Sequence, residues 1–288
     1  MPKIAIVSGK GGAGKTSVSV MLANYLQKKD LPGLLIDLDV EEPNARLFFQ
    51  GTKTETHVKY KQIPSWQADL CTFCGKCTKV CNFNALAMLP NQLLVFEELC
   101  HSCYACTELC PTQALPMKDK EMGVMNVYEN SHSRLIEGCL NIGEQQAVPL
   151  IKQVKEDGEK YAPEQAYILY DAPPGTSCPM IEAVKDADYI LLVSEATAFG
   201  LNDMQITVDT LRELKKPFGV LVNKATEEQN LITDFCERTA VPIIASLPYS
   251  QKFAKAYAKG ALEEGMDASL TDALETIYQH LTTKMAVS

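Results

Sequence analysis

With 288 residues, of which 46% are apolar, the chain is long enough for one large α/β domain or two smaller ones with a sizeable core. Its formal net charge of −9 and the lack of any basic run argue against a nucleic-acid partner. No apolar run approaches the about 20 residues of a membrane span, and MPKIAIVSGK lacks the apolar stretch of a signal peptide, so we expect a cytoplasmic protein without a membrane partner.

Six short apolar segments along the chain predict buried β-strands. They are Lys3 to Ser8, Leu34 to Asp39, Ala166 to Asp171, Tyr189 to Glu195, Phe218 to Lys224 and Pro242 to Pro248. Helical segments separate most of them, and residues 270–281 follow the last strand with apolar residues at helical spacing. Strands that alternate with helices predict an α/β fold with a doubly wound, mostly parallel sheet.

This alternation stops between His57 and Lys118, where cysteines occur every few residues. Eight of the eleven cysteines lie between Cys71 and Cys110, and in a reducing compartment we expect them to be metal ligands rather than disulfides. The strand and helix pattern resumes from Glu137. We therefore predict that residues 57–118 form a small domain, inserted after the second strand of a larger domain that comprises residues 1–56 and 119–288.

The inserted segment contains the pattern C-x2-C-x2-C-x3-C twice, at an offset of 29 residues. Three cysteines of such a run bind one four-iron cluster, and the fourth is directed at the neighbouring cluster. The expected ligand sets are Cys71, Cys74, Cys77 and Cys110 for one [4Fe-4S] cluster, and Cys100, Cys103, Cys106 and Cys81 for the other. The alternative is zinc, which prefers two well-separated C-x2-C pairs.

The duplicated motif closely resembles that of the bacterial ferredoxins with two [4Fe-4S] clusters, which implies an α+β fold for the insert. One difference is Asn82, which stands where the first motif of those ferredoxins usually has proline. We expect this difference to affect the local turn and not the ligation. His101 lies inside the second motif, where we expect it to face solvent or donate a hydrogen bond rather than to bind iron.

The segment SGKGGAGKTS lies between the first strand and a helical segment and contains the phosphate-binding pattern G-x-x-x-x-G-K-[ST]. Its glycines let backbone N–H groups converge on phosphate oxygens at a helix N-terminus. We expect Lys15 to reach the β- and γ-phosphates and Thr16 to bind Mg²⁺. The predicted nucleotide-binding residues of this loop are Gly9, Lys10, Gly11, Gly12, Ala13, Gly14, Lys15, Thr16 and Ser17.

A second lysine in this loop, Lys10, narrows the class of P-loop ATPase. The run K-G-G-x-G-K-T resembles the deviant Walker A motif of the MinD/Mrp/ParA and nitrogenase-iron-protein ATPases. In that family the first lysine crosses a nucleotide-sandwich dimer to the partner's phosphates. The resemblance therefore implies an ATPase that binds ATP and ADP, and a role for Lys10 in a homodimer or in a heterodimer with a similar chain.

Further segments resemble other motifs of the same family. The resemblance implies that Asp39, in DLDVEEPN, positions or activates the attacking water and that Asn44 lies in the same switch segment. It implies that Asp171, in YDAPPGT, holds Mg²⁺ through water. It also implies that Asn223 contacts the base and that Pro248 packs on adenine.

Some residues around these motifs have more than one interpretation. For Asp37 a functional role and a turn-capping role both stay open, and we interpret Glu41 and Glu42 as a solvated acidic pair. The whole arrangement resembles a group of MinD-superfamily ATPases with an inserted ferredoxin domain. The run SEATAF, residues 194–199, is a difference from that group, which tends to carry prolines there.

Two cysteines outside the insert suggest a further cluster. Cys178 follows Asp171 by seven residues. In the nitrogenase iron protein a cysteine at that separation ligates a [4Fe-4S] cluster shared by two subunits, and Cys139 is a candidate for the second ligand from each subunit. A third cluster held by Cys139 and Cys178 across a dimer is therefore a hypothesis, and two ordinary thiols are the alternative.

Three functions are compatible with these features. The first hypothesis is ATP-gated electron transfer, in which dimer closure controls delivery from the ferredoxin clusters to a partner redox protein. The alternative is an iron–sulfur carrier or assembly ATPase of the Mrp type, which hands a cluster to an acceptor protein. A MinD-like positioning ATPase is disfavoured, because few lysines accompany the apolar stripe of Leu274, Ile277, Tyr278 and Leu281. A ParA-like positioning ATPase is disfavoured, because the sequence shows no basic surface for DNA.

Overall fold

The computed structural model describes residues 1–130, 133–225 and 230–285. Its strands are β1 (Lys3–Ser8), β2 (Gly33–Asp37), β3 (Thr52–Pro64), β4 (Leu86–Leu89), β5 (Gln92–Val95), β6 (Met117–Glu129), β7 (Arg134–Leu140), β8 (Tyr167–Asp171), β9 (Tyr189–Glu195), β10 (Phe218–Ala225) and β11 (Ile243–Pro248). Its helices are α1 (Lys15–Lys28), α2 (Lys76–Val80), α3 (Ala105–Glu108), α4 (Ala147–Gly158), α5 (Cys178–Val184), α6 (Ala198–Glu213), α7 (Asn230–Thr239), α8 (Gln251–Tyr257), α9 (Leu262–Gly265) and α10 (Ala268–Met285). Short 3-10 helices lie at Ala45–Leu47, Ala68–Leu70, Glu97–Leu99 and Glu159–Tyr161.

The chain divides into two compact units. The large unit comprises Met1–Thr56, Met125–Cys139 and Ile151–Ser288, and the small unit comprises His57–Val124 and Leu140–Leu150. The predicted insert, residues 57–118, lies within the small unit, and its two limits fall inside the long strands β3 and β6. Because side chains alternate in the same way along a whole strand, no change of pattern marks these limits in the sequence.

Within the described residues, nine strands form one sheet in the order β11-β10-β9-β1-β8-β2-β7-β6-β3. The strands from β11 to β7 pair in parallel with their neighbours. The predicted α/β fold with a mostly parallel sheet is therefore confirmed. Asp37 at the end of β2 lies opposite Asp171 at the end of β8, and Ile6 of β1 lies opposite the same Asp171. The carboxyl ends of three central strands thus meet where a doubly wound sheet binds its ligands.

The sheet contains three strands that the apolar segments did not predict, namely β3, β6 and β7. β7 has the sequence RLIEGCL and lies beside β2, with Leu34 opposite Arg134 and Asp37 opposite Glu137. Charged residues interrupt its apolar run, and both β3 and β6 begin with exposed polar residues. These strands therefore lack the short apolar pattern by which the other six were predicted.

The core of the large unit contains apolar side chains from the sheet, from α1 and from α10. Leu274, Ile277 and Leu281 of α10 are all buried in this core, and Tyr278 packs against it. The apolar stripe predicted near the C-terminus is therefore part of the core, as expected for a helix docked on its own domain. Among the described helices, none is both long and apolar enough to cross a membrane.

The small unit contains two short helices and one antiparallel hairpin. Helices α2 and α3 begin at Lys76 and Ala105, which are equivalent positions of the two cysteine motifs. The hairpin pairs β4 with β5, with Leu86 opposite Val95. Its apolar side chains pack together with cysteines, since Leu86 clusters with Cys77 and Cys106. The unit thus has an α+β core in which cysteines take the place of larger apolar residues.

Candidate functional site

The loop between β1 and α1 lies at the carboxyl end of a central strand. Gly12 and Gly14 have left-handed backbone conformations, with φ of 82° and 92°. A Cβ atom at Gly14 would lie 2.1 Å from Nδ2 of Asn223, so a larger residue cannot replace this glycine without movement of the amide. Asn223 is close because its Nδ2 donates a 2.8 Å hydrogen bond to the carbonyl of Ala13. The loop is therefore held in shape by a residue at the end of β10.

A cavity of about 510 Å³ opens beside this loop, within the size range of small-molecule sites. Of the predicted nucleotide-binding residues, it is lined by Gly11, Gly12, Gly14, Lys15, Thr16, Ser17, Asn223 and Pro248. Asp39 and Asn44 line it from the predicted switch segment, and Tyr249, Phe253 and Tyr257 add apolar surface. Gly9, Lys10 and Ala13 of the same loop lie outside this lining. The cavity thus combines a glycine-rich polar side with an aromatic side.

Lys15 lies among acidic side chains at the base of this cavity. Its Nζ lies 2.8 Å from Oδ1 of Asp171 and 3.8 Å from Oδ2 of Asp39. Burial lowers the pKa of Lys15, but the attraction of the surrounding carboxylates, led by Asp171, outweighs burial and leaves that pKa raised. Lys15 therefore stays a cation, although its side chain is only 6% exposed.

Asp171 has one oxygen that no described protein group satisfies. Its Oδ1 contacts Lys15 and lies 2.9 Å from Oγ of Ser19, whereas its Oδ2 is buried and has no hydrogen-bond partner within residues 1–130, 133–225 and 230–285. A buried carboxylate oxygen without a partner is costly unless a ligand or water completes it. Oxygen ligands are the ones that Mg²⁺ prefers, and the hydroxyl of Thr16 lines the same cavity. The residues present therefore fit a magnesium ion bound by Thr16 and Asp171.

Asp37 anchors the segment that follows β2. Its carboxylate accepts hydrogen bonds from the backbone N–H groups of Asp39 (3.1 Å), Asn44 (3.0 Å) and Ala45 (2.9 Å). It is fully buried, and burial and the neighbouring Asp171 raise its pKa to about 8. This geometry favours the turn-capping interpretation of Asp37, in which the residue fixes the switch segment from below.

Asp39 differs from Asp37 in its exposure to the cavity. Its side chain is 18% exposed, and burial raises its pKa to about 6 in spite of the opposing charge of Lys15. At neutral pH it is therefore mostly ionised, yet basic enough to accept a proton from water. Asp39 thus lines the cavity, and the water-positioning role that the resemblance implies for it stays a prediction.

Glu195, at the end of β9, contacts two lysines near the loop. One of its oxygens lies 3.8 Å from Nζ of Lys10, and the other pairs with Lys224. Nζ of Lys224 also donates a 3.3 Å hydrogen bond to the carbonyl of Gly12. Lys10 is therefore held by an acid of its own subunit.

The eight cysteines of the small unit line two separate pockets. One is lined by Cys71, Cys74, Cys77 and Cys110, and the other by Cys81, Cys100, Cys103 and Cys106. Each pocket contains the first three cysteines of one motif and the last cysteine of the other motif. The cysteines of each pocket are the four residues of one predicted ligand set, and their binding of a cluster stays a prediction. No group of three His, Cys, Asp or Glu residues in the described ranges could hold a single metal ion.

The two pockets have the same backbone. Left-handed residues occur in pairs that are 29 positions apart, namely Phe73 and Ser102, Gly75 and Tyr104, and Asn84 and Gln113. Such turns point successive N–H groups into one concavity, as in many phosphate and iron–sulfur sites.

The fourth sulfur of each set accepts the same backbone hydrogen bond. Ala85 N donates to Sγ of Cys81 at 3.3 Å, and Ala114 N donates to Sγ of Cys110 at 3.2 Å. These donor and acceptor positions are again 29 residues apart. The duplicated sequence thus places the same backbone hydrogen-bond donor beside the fourth sulfur of each set.

Cys139 and Cys178 have different surroundings in the large unit. Sγ of Cys139 lies 3.5 Å from Oε2 of Glu137, and burial and this carboxylate raise its pKa to about 12. Cys178 is exposed at the first residue of α5. The thiol of Cys139 is therefore protonated at neutral pH, and a cluster shared through these two residues stays a hypothesis.

Comparison with known families agrees with the geometry of the large unit. Residues 4–263 match the model of the CobQ/CobB/MinD/ParA nucleotide binding domain. The chain belongs to this family. An uncharacterized protein of Methanocaldococcus jannaschii is 35% identical over 97% of this chain and 96% of its own length.

Solved structures share the fold of this MinD/ParA-family ATPase. The ATP complex of a substituted McdA from Cyanothece has a TM-score of 0.60 at 19% identity and covers 98% of this chain and 96% of its own. The Mg-ADP complex of the septum site-determining protein MinD from Pyrococcus horikoshii has a TM-score of 0.58 at 16% identity and covers 97% and 95%. At these identities the likeness concerns the fold.

Several residues of the site were not predicted from the sequence. Ser19 follows Lys15 by four residues, so the helical spacing of α1 places it on the same face, next to Asp171. Lys224 adjoins Asn223, and Glu195 lies in the SEATAF run that differs from the related group. Lys224 could have been found as a sequence neighbour of a predicted site residue. The contact between Glu195 and Lys224 could not, because the two residues are far apart in the sequence.

Proposed function

We propose that this protein is an ATPase that gates the transfer of electrons from two [4Fe-4S] clusters to a partner redox protein. The observation that carries the proposal is the sorting of eight cysteines into two pockets, each with three cysteines of one motif and one of the other. Crossed ligand sets of this kind are typical of duplicated four-cysteine runs that bind two clusters. Clusters bound there would supply one-electron transfer.

The chemistry of the pockets supports clusters rather than single ions. A four-iron cluster takes each thiolate on a different iron atom, so its four sulfurs need not converge on one point. The backbone N–H groups of Ala85 and Ala114 already donate to the sulfurs of Cys81 and Cys110. Such hydrogen bonds stabilise a thiolate and tune the potential of the cluster it binds.

The charge of the large cavity supports nucleotide binding. The ammonium of Lys15 is paired with Asp171. A bound triphosphate competes with Asp171 for that ammonium, and the backbone N–H groups at the start of α1 add further donors. Asp171 is then free to hold Mg²⁺ through water, together with the hydroxyl of Thr16. The complexes of related folds with Mg-ADP and with ATP agree with this assignment.

Hydrolysis would use residues at the rim of the cavity. Asp39 accepts a proton from the attacking water or orients it, since its carboxylate faces the cavity. Lys10 leaves Glu195 and reaches the phosphates bound by a second subunit, which is a homodimer partner or a similar chain. This cation in trans would stabilise charge on the transferred phosphoryl group, as an arginine finger does.

The switch segment offers a route by which nucleotide could control the small unit. Asp37 holds the backbone of residues 39, 44 and 45, and β3 begins shortly afterwards at Thr52. In P-loop switches, contacts of such segments with the γ-phosphate and Mg²⁺ are made with ATP and lost on hydrolysis. The state of the nucleotide would therefore be passed along the chain to the segment that contains the cysteines.

An alternative is a carrier ATPase of the Mrp type, which transfers a cluster to an acceptor protein. The candidate site for a labile cluster is Cys139 with Cys178, but Sγ of Cys139 contacts the carboxylate of Glu137. A membrane-positioning role like that of MinD is opposed by α10, whose apolar stripe is buried in the core rather than offered to a membrane. A DNA-positioning role like that of ParA is disfavoured by the net charge of −9.

The proposal is tested with protein purified without oxygen. We expect eight iron atoms per chain, which is four in each of two clusters. The reduced protein is mixed with cytochrome c, and its oxidation is followed with ATP, with ADP and with a non-hydrolysable ATP analogue. Rates that depend on the nucleotide support gating, and equal rates contradict it. Iron and sulfide that move to an apo-ferredoxin instead of electrons favour the carrier.

A further inference from the structure

We propose that the ammonium of Lys61 raises the reduction potential of the cluster bound by Cys81, Cys100, Cys103 and Cys106. An electron shared by the two clusters of one chain then resides mainly on this second cluster, and no proton needs to move with it. The inference rests on the proposed function, because it requires that the cysteine pockets hold clusters. It adds a direction to the electron path within the small unit.

The first observation is that Lys61 is a charged residue without contact to solvent. Its side chain is 0% exposed, and its Nζ lies 2.7 Å from Oε1 of Glu144, whose side chain is 4% exposed. A buried ion pair gains little stability over an apolar pair of the same size, so a fold rarely needs one for stability alone.

The second observation is the direction in which Lys61 points. Residues two positions apart in a strand lie on the same face, so Lys61 shares a face of β3 with Ile63. Ile63 is fully buried and packs against Ala85 and Cys100, with Cys81 at the edge of the same cluster. Between these two residues of β3, the backbone carbonyl of Gln62 accepts a 2.6 Å hydrogen bond from Oγ of Ser102, which lies in the second cysteine motif. Lys61 therefore lies on the face of β3 that packs against Cys100, behind the lining of the second pocket.

A positive charge beside a cluster stabilises the form of the cluster that has gained an electron. Net charge near a cluster is one of the quantities that set its potential.

The first pocket has a different kind of lysine. Lys76 lines that pocket from the start of α2, but it is exposed to solvent. Water and salt screen an exposed charge far more than a buried one. The two pockets thus have equivalent backbones and cysteines but differ in the burial of the nearby lysine. For this reason we assign the higher reduction potential to the cluster of the second pocket.

The experiment is a redox titration of the whole chain followed by electron paramagnetic resonance. Cys74→Ser and Cys103→Ser identify which signal belongs to which pocket. In Lys61→Met we expect the ratio of reduced to oxidised second cluster, at a fixed potential, to fall about tenfold, the order expected for loss of one nearby charge. A tenfold change corresponds to about 59 mV for one electron. Lys61→Arg should keep the wild-type potential.

Lys76→Met is the matched control, and we expect it to change the ratio of the first cluster less than threefold. Because Lys61→Met leaves Glu144 buried and unpaired, Lys61→Met/Glu144→Gln provides a second variant that keeps the packing. It should change the ratio in the same direction by a smaller factor. A loaded chain whose second cluster keeps its potential in both variants overturns this inference alone. A chain that binds no cluster overturns the proposed function as well.

Discussion

The nucleotide cavity and the two cysteine pockets are assembled in opposite ways. The cavity takes Lys15, Asp39, Asn223 and Pro248 from the ends of four different strands or the segments after them, and Asp171 at the end of a fifth strand contacts Lys15. The pockets take all their sulfurs from two short motifs, and only the fourth cysteine of each motif crosses to the other. When a site is built from local motifs, the sequence predicts which residues lie together in it. When a site is built from the ends of several strands, the sequence predicts single residues but not the contacts between them.

The two regions also differ in how charge is balanced. Beside the cavity, the buried Lys15 is attracted by the carboxyl groups of Asp171, Asp37 and Asp39, and Oδ2 of Asp171 has no hydrogen-bond partner among the described residues. The pockets are lined mainly by cysteines and apolar side chains, together with Lys76 in the first pocket and His101 in the second. The difference agrees with the proposal that the large unit binds exchangeable ligands and that the small unit binds permanent ones.

The largest effect is expected from Lys10→Ala, which tests whether the cavity is completed by a second subunit. ATP hydrolysis should fall by about a thousandfold, the order known for a cation supplied in trans, while ATP binding is kept because Lys10 lies outside the cavity lining. Steady-state hydrolysis and calorimetric binding measure the two quantities. Lys28→Ala, at an exposed lysine of α1, is the control. Full hydrolysis by Lys10→Ala would contradict the completion of the cavity by a second subunit.

The second prediction tests the crossing of the pockets. Cys110→Ser should lower the iron content from eight to about four atoms per chain, because it removes one ligand of one cluster. Adding Cys77→Ser should cause little further loss, since both residues line the same pocket. Adding Cys106→Ser, from the other pocket, should remove the remaining iron. Cys178→Ala is the control outside both pockets. The reverse pattern would mean that each motif binds its own cluster.

A third prediction separates the two acids that follow β2. Asp37→Ala should lower the free energy of unfolding by about 1–3 kcal/mol, because the buried N–H group of Ala45 and the N–H group of Asn44 lose their acceptor. Asp39→Ala should change stability by less than about 0.5 kcal/mol but should lower hydrolysis. Urea denaturation and hydrolysis assays measure both. Equal losses of stability would contradict the distinction between an anchor and a reacting group.

The smallest effect is expected from Glu195→Gln. This change weakens the hold on Lys10, and a partly exposed ion pair contributes at most about 1 kcal/mol. We expect ATP hydrolysis to rise up to about fivefold, because less free energy is needed to release Lys10 towards a partner. Lys10→Ala/Glu195→Gln is the control, in which the rise should disappear. A decrease in Glu195→Gln would show that Glu195 supports the site instead.

The fold was predictable where secondary structure follows a short apolar pattern. Six strands and the docked helix α10 were predicted in this way, whereas β3, β6 and β7 have polar or charged residues in their runs. For the site, the loop residues and the two sets of cysteines were predictable because phosphate and cluster ligands require fixed spacings. The contacts of Glu195 with Lys10 and Lys224 were not, since the residues are far apart in sequence.

By itself the sequence determined the chemistry that each segment can perform: a loop that binds phosphate, and two cysteine runs whose spacing suits crossed clusters. Only the tertiary structure decided that Asp37 anchors the switch segment, that Glu195 holds Lys10, and that Lys61 is buried beside one pocket and not the other. The physical reason is the sequence separation of the interacting residues. The spacing within a motif concerns residues close together in sequence, whereas burial and ion pairing depend on which strands become neighbours in the sheet.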